Sequence, residues 1–328
     1  MPVGGTPMRI GLLSNLSAGA NAGRAVELLD ALRNVPGLVH VETNRSAAAP
    51  DALHTLAQAG VDLLLVNGGD GTLQNVLTAV LGQDVFDGRV PLIAPLRGGR
   101  TNTSALDVGA SRDPIRAALE LCKAIDAGRL RERIVKRRVL RIELREGPKC
   151  YVRYGMFFGA GVIHRGIELV QQRFPSGKSQ GVFGAGLVTA GLLARLALGK
   201  GDGILAGDKI QMLVDGVPVE RGESRLVMAS TQERLFLGLR PFWGRGPGAV
   251  RFTAISSQAR GLARAAAGIL RGRPGRSVNE ERGYLSRNAD RVALLAGCGL
   301  TIDGELIGPR PGRVVSITAD RAVEFVRA

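Results

Sequence analysis

The sequence predicts an α/β domain followed by a second, mostly antiparallel β domain. Three observations carry that expectation. Over residues 1–130, apolar strand-like runs alternate with segments whose apolar residues fall at helical spacing, the pattern of a parallel sheet with helical crossovers. Beyond Gly128 the apolar period shortens to two, as in strands with one buried face. The charge divides at the same place: residues 1–128 carry 10 basic and 12 acidic side chains, and residues 129–328 carry 34 and 17.

In the first domain, residues 8–15 form an apolar run with a polar end, and Val26, Leu28, Leu29 and Leu32 mark a helix over 23–34. Residues 39–43 read as a second strand and 50–59 as a helix. The apolar run over 62–66 stops at Asn67-Gly68-Gly69, as expected of a strand buried on both faces. Helical spacing resumes over 73–81, residues 90–96 form another strand, and 113–127 another helix with Pro114 near its start. In the second domain, 134–145 alternate strictly: Val135, Arg137, Val139, Arg141, Glu143 and Arg145 face one way, and Ile134, Leu140, Ile142 and Leu144 the other. Further strands are expected at 151–158, 209–214, 225–229, 249–255, 291–295 and 314–317, and helices at 163–172, 181–198 and 257–271. Asp215-Gly216 and Asp303-Gly304 are hairpin-turn signals. The expected domains are 1–130 and 131–312, with 313–328 returning to the first.

Composition narrows the function. At 328 residues, 45% hydrophobic and 22% charged, the chain has ample material for a globular core. Cys122, Cys150 and Cys298 stand singly and only three histidines occur, which argues against a disulfide framework and against Cys- or His-based metal sites. With no apolar leader at the N-terminus, these counts point to a reducing, cytoplasmic compartment. The net charge is +15, and residues 234–279 hold nine arginines and no acidic residue, so an anionic partner surface is expected. The 13 aromatic residues are a poor supply for base stacking, and no nucleic-acid partner is expected.

Two helical segments bear on membranes. Residues 181–199 are almost wholly apolar but Gly-rich and include Arg195; a buried helix fits them better than a span. In the segment 256–271, helical geometry places Arg260, Arg264 and Arg271 on one face and Leu262 and Ile269 on the other. An ordinary surface helix accounts for this pattern, and so does contact between the three arginines and anionic headgroups.

Three motifs could carry chemistry. Gly68-Gly69-Asp70-Gly71-Thr72 lies between a buried strand and a helix. Glycines allow backbone N–H groups to approach an anion, a helix N-terminus adds a favourable dipole, and Thr72 is placed to cap the helix from Leu73. Asp70 suits a water-mediated metal contact or a polar contact to a nucleotide. The lesser alternative for this motif is a tight strand-to-helix turn with no ligand. Arg97-Gly98-Gly99-Arg100-Thr101-Asn102 follows the next strand, so both loops belong at one edge of a parallel sheet, where ligands bind. Arg97 and Arg100 are candidates for phosphate oxygens. Asp303-Gly304-Glu305 places two carboxylates at i and i+2; by itself this is a hairpin.

In their order and separation these motifs resemble the diacylglycerol kinase catalytic-domain family, which includes bacterial lipid kinases, sphingosine kinases and ceramide kinases. The resemblance runs over nearly the whole chain. It implies a Rossmann-like α/β domain of the phosphofructokinase and NAD kinase kind, followed by a mostly antiparallel β-sandwich domain. It also implies ATP and Mg2+ as cofactors, with phosphoryl transfer to the hydroxyl of a membrane lipid, diacylglycerol or a ceramide or sphingoid base. By resemblance, Gly68, Gly69, Asp70, Gly71 and Thr72 hold ATP together with Gly99, Arg100, Thr101 and Asn102, with Asn15 and Thr43 nearby. Asp70 is the candidate metal ligand, and Asp303 and Glu305 are the candidate catalytic residues, Asp303 as general base.

The chain departs from the family pattern at three places. Arg100 stands where a Thr is usual, Gly161-Val162-Ile163-His164 lacks the family's Asp, and Arg245-Gly246-Pro247-Gly248-Ala249 replaces an acidic stretch. Two other functions are carried alongside: a kinase of a soluble acceptor resembling NAD kinase, and a non-catalytic nucleotide- or lipid-binding relative. The expected setting is the cytoplasmic face of a membrane, peripherally bound to an anionic surface through Arg260, Arg264 and Arg271, with a homodimer as a candidate assembly.

Overall fold

The computed structural model describes residues 8–19, 24–45, 48–99, 101–173, 203–219 and 222–328. The helix expected over 181–198 lies outside the described residues. The chain divides into two compact units, Met1–Arg137 with Val323–Ala328, and Arg138–Ala322.

The first unit is an α/β domain. Its elements are β1 (Ile10–Asn15), α1 (Arg24–Leu32), β2 (Val39–Thr43), α2 (Ala49–Gln58), β3 (Leu63–Gly68), α3 (Asp70–Gly82), β4 (Leu92–Arg97), α4 (Thr103–Val108) and α5 (Pro114–Asp126). The strands are parallel in the order β2-β1-β3-β4. Leu63 and Leu65 of β3 join Leu12, Leu28, Leu32, Ala94, Leu96 and Leu121 in one core, while Leu64 and Val66 are buried on the other face. Covering both faces is what the continuous apolar run requires, and each buried leucine contributes about 1.5–3 kcal/mol. Asp113 caps α5, its Oδ1 accepting from the N–H groups of Ile115 and Arg116, with Pro114 as the first helical residue.

The second unit is mostly antiparallel. Its strands are β5 (Ile134–Glu146), β6 (Lys149–Gly155), β7 (Phe157–Gly161), β8 (Asp208–Val214), β9 (Val217–Val219), β10 (Glu223–Ser230), β11 (Val250–Ser256), β12 (Tyr284–Ala289), β13 (Arg291–Ala296), β14 (Leu300–Ile302), β15 (Glu305–Ile307) and β16 (Val314–Val326). Among the described residues two α-helices join them, α6 (Val162–Arg173) and α7 (Leu262–Leu270). One layer runs β15-β14-β7-β10-β11-β12, and a second contains β9-β8-β13-β16, with β5 and β6 paired to each other. Ile142, Phe158, Met212, Val227, Phe252, Leu294, Leu300 and Val315 from these strands form one core. Both hairpin signals hold: Asp215 and Asp303 and the glycines after them have positive φ, as a two-residue type I′ turn demands.

Four expectations are corrected. Helix α3 begins at Asp70 with Gly69 as its N-cap, so Thr72 sits inside the first turn and does not cap it. The strand expected over 151–158 breaks at Met156 into β6 and β7. The strand expected to stop at 317 continues to Val326, and Phe325 pairs in parallel with Ile93 of β4. Finally, α7 is shorter than the 257–271 segment. It contains Arg264 only, while Arg260 precedes the N-cap Gly261 and Arg271 is the C-cap.

Candidate active site

The carboxyl ends of β1 to β4 gather the residues expected to hold ATP. Asn15 and Thr43 are register partners on β1 and β2, and Gly68 is opposite Arg97 on β3 and β4. Beyond β3 the chain turns directly into α3, whose N-terminal turn has no side-chain cap. The first N–H groups of such a helix lack intrahelical acceptors and favour an anion. The two glycine loops meet here: a Cβ added to Gly69 would lie 3.3 Å from the Cα of Gly99, and one added to Gly68 would lie 2.6 Å from the side chain of Thr72.

Asp70 holds the loops together. Its Oδ2 accepts from the Thr101 hydroxyl at 2.7 Å and the Thr103 N–H at 3.0 Å, and its Oδ1 accepts from the Ser104 N–H at 2.8 Å. The carboxylate therefore serves the first turn of α4, a helix absent from the sequence-based expectation. Among the described residues no three His, Cys, Asp or Glu side chains gather to hold a metal. With both oxygens of Asp70 engaged, the described residues do not fit a resident Mg2+ site.

Asn102 is likewise internal. Its backbone is left-handed, with φ +49, and its side-chain amide closes on Gly99, accepting from the Gly99 N–H and donating to the Gly99 carbonyl, both at 2.7 Å. Asn15 donates from Nδ2 to Thr72 Oγ1 at 2.8 Å and accepts from the Ser17 N–H and hydroxyl. These contacts fix the loops from below. Two groups there lack partners among the described residues: the buried hydroxyl of Thr43 and Nε of Arg97. Burial, reinforced by Arg112, disfavours the charge on Arg97. An unsatisfied buried donor beside an uncapped helix N-terminus fits a phosphate-bearing ligand. Arg97 is one of the two arginines that the sequence marks as candidates for phosphate oxygens. Arg100 lies outside the described residues.

The C-terminal motif sits in the second unit. Asp303 occupies the β14–β15 turn at φ +47 and is largely buried. Its Oδ1 accepts from the Phe157 N–H at 2.8 Å and its Oδ2 from the Met156 N–H at 2.9 Å, while its own N–H bonds the Phe157 carbonyl. That arrangement explains the break at Met156: the N–H groups there turn to a carboxylate and leave the strand ladder. A Cβ on Gly155 would lie 2.4 Å from Asp303 Oδ2, so glycine at 155 admits the carboxylate. No local pattern around 156 signals this partner, which is remote in sequence. Glu305 exposes its surface, yet the protein packed around it raises its carboxyl above the ordinary range, an effect that Arg153 partly offsets.

Residues 9–130, which contain both glycine loops, match the family profile of the diacylglycerol kinase catalytic domain. Three solved structures from Bacillus anthracis str. Sterne, one named as a diacylglycerol kinase and two provisionally so named, share the fold of the chain. The first has 17% identity and a TM-score of 0.66, covering 99% of this chain and 98% of its own. The others have 15% and 16% identity and TM-scores of 0.59 and 0.62, each covering 98% of this chain and 97% of its own. No curated protein matches the chain.

Two of the segments where the sequence departs from the family pattern are closely packed. His164 is buried, and burial lowers the proton affinity of its ring; a Cβ on Gly299 would lie 2.4 Å from that ring. Around Arg245, Gly244, Gly246 and Gly248 let the chain lie flat against β12, where a Cβ on Gly248 would come within 2.1 Å of the Ala289 backbone. Among the described residues no helix is long and apolar enough to cross a membrane. On α7, Ile269 is buried and Leu262 packs beside it against Ile255 and Tyr284, so the apolar side of this helix is spent on the sheet.

Proposed function

We propose that the chain is an ATP-dependent lipid kinase, transferring the γ-phosphoryl group of MgATP to a hydroxyl of a membrane lipid. Diacylglycerol and ceramide or a sphingoid base are the acceptors proposed. The observation that supports this reading most directly is the contact of Gly69 with Gly99 beside the uncapped start of α3. In a family of kinase catalytic domains, such a turn suits phosphate oxygens. The N–H groups of the 69–72 turn and the Arg97 guanidinium bind and orient the phosphates. Mg2+ arrives as part of the nucleotide substrate.

ATP supplies the electrophilic phosphorus: a bond forms from the lipid oxygen to that atom as its bond to the β-phosphate oxygen breaks. The hydroxyl proton passes to Asp303, which the Met156 and Phe157 N–H groups hold in one orientation. Each carboxylate oxygen has two lone pairs, so a carboxylate oriented by backbone donors can also accept from a substrate hydroxyl. A positioned base of this kind is worth about 10²–10⁴ in rate. The work is otherwise placement and charge neutralisation.

The test is incubation with labelled ATP and a panel of diacylglycerol, ceramide, sphingosine and polyprenol, alongside soluble acceptors including NAD. Label in one lipid supports the reading. Label only in a soluble acceptor, or ATP binding with no transfer to any acceptor, overturns it.

A further inference from the structure

Apart from the catalytic motifs, the second unit contains a cavity of about 210 Å³ lined by Arg240, Phe242, Arg251, Arg271, Arg273 and Glu233. Among the described residues the lining carries four arginines and one glutamate, a net of three positive charges. Glu233 stands 3.9 Å from Arg251, at the outer limit of an ion pair. Arg240, Arg271 and Arg273 make no ion pair among the described residues, although carboxylates elsewhere in this unit are matched closely, as at Arg287–Glu280 (2.8 Å).

The backbone holds the cluster in place. Helix α7 ends with the Gly272 N–H bonded to the Ile269 carbonyl and the Arg273 N–H bonded to the Gly268 carbonyl, both at 2.9 Å. This is a Schellman closure with Gly272 left-handed at φ +70. The Arg240 N–H bonds the Leu270 carbonyl at 2.8 Å, and a Cβ on Gly272 would lie 2.8 Å from the Arg240 carbonyl. Arg251 stands on β11, paired on both sides, opposite Ser230 and Asn288. The last carbonyls of α7 thus have backbone partners and do not need the arginine side chains. Like charges gathered on a rigid frame repel one another, and an anion of matching size relieves that cost.

We infer that this cavity is a binding site for a phosphate group, carried either by the headgroup of an anionic lipid or by a free phosphate ester. Arg240, Arg251, Arg271 and Arg273 supply forked donors suited to phosphate oxygens, and Phe242 offers an apolar wall to what the phosphate is attached to. The site does not depend on the kinase reading. It also moves the basic contact away from a single face of α7, since only Arg271 of the three arginines expected there lines the cavity.

The test uses the full chain, the double variant Arg240→Ala/Arg273→Ala, and Glu233→Gln, each checked for folding by thermal melting. Binding of inorganic phosphate and glycerol phosphate is titrated with MgATP saturating. Co-sedimentation is measured with vesicles of phosphatidylcholine alone and of phosphatidylcholine mixed with phosphatidylglycerol. Binding of the soluble phosphates that weakens about tenfold or more in the double variant assigns a free ester. Loss of sedimentation with the mixed vesicles alone assigns a headgroup. In either case Glu233→Gln, which removes the one opposing charge and is expected to fold normally, binds severalfold tighter. Equal binding by wild type and double variant to every probe overturns the inference, as does weaker binding by Glu233→Gln.

Discussion

A Cβ atom on Gly99 would stand 2.3 Å from the Cα of Gly69, so the two glycine loops of the first unit interlock through bare backbone. Gly99→Ala must push them apart, since the obstructing atom is main chain. We expect a stability loss of about 1–3 kcal/mol, as for other overpacked sites, and a larger relative loss of ATP affinity. Calorimetric titration with a non-hydrolysable ATP analogue checks this; unchanged affinity would separate the glycine contact from the nucleotide site.

Asp70 predicts a different signature. Its carboxylate bonds Thr101, Thr103 and Ser104, so Asp70→Asn places an N–H₂ group against donors. Urea unfolding should show a loss of about 1–3 kcal/mol with no nucleotide present. A residue acting only as a nucleotide or metal ligand would leave that curve unmoved.

Asp303 combines both kinds of effect. Asparagine tolerates the left-handed turn but keeps only one acceptor oxygen for the Met156 and Phe157 N–H groups. Asp303→Asn should lose about 1 kcal/mol of stability, and lipid phosphorylation should fall by about 10²–10⁴ while ATP affinity holds. Turnover equal to wild type would remove Asp303 from the chemistry.

Glu305 sets a pH dependence of the opposite sense to an ion-paired carboxylate. Folding raises its proton affinity, so the folded state binds that proton more tightly than the unfolded chain does. The stabilising contribution is complete below the ordinary glutamate range and is lost as pH rises through the raised folded value. Glu305→Gln removes this slope, and Arg153→Leu, which takes away the offsetting positive charge, extends the window upward. Melting temperatures measured in steps from acid to neutral pH should separate the three proteins in that order.

What the sequence reveals and conceals follows from the range of each signal. Strand β3 is legible because an unbroken apolar run ends on two glycines. Helix α4 is not, since Thr103–Val108 is too short to show a period, and its first turn is fixed by Asp70, remote in sequence. The two carboxylates of the C-terminal motif are visible, but the backbone N–H groups that seize Asp303 lie near residue 156 and leave no local trace. Thr72 reads as a cap because it precedes Leu73, whereas the helix opens earlier at Asp70 and turns the Thr72 hydroxyl to Asn15. The arginine cavity is the least legible feature: Arg240, Arg251 and Arg273 appear as scattered surface charge until α7 and β11 bring them around one space.

The pairing of Phe325 with Ile93 also orders events in time. While the chain is being synthesised, β4 emerges with its outer edge bare, and Val323–Ala328, which cover it, are made only after the entire second unit. Until then the exposed row of N–H and carbonyl groups is open to any passing strand. The first unit, though made before the second, is sealed after it. A fragment cut at its apparent boundary would carry both glycine loops and still be prone to aggregate.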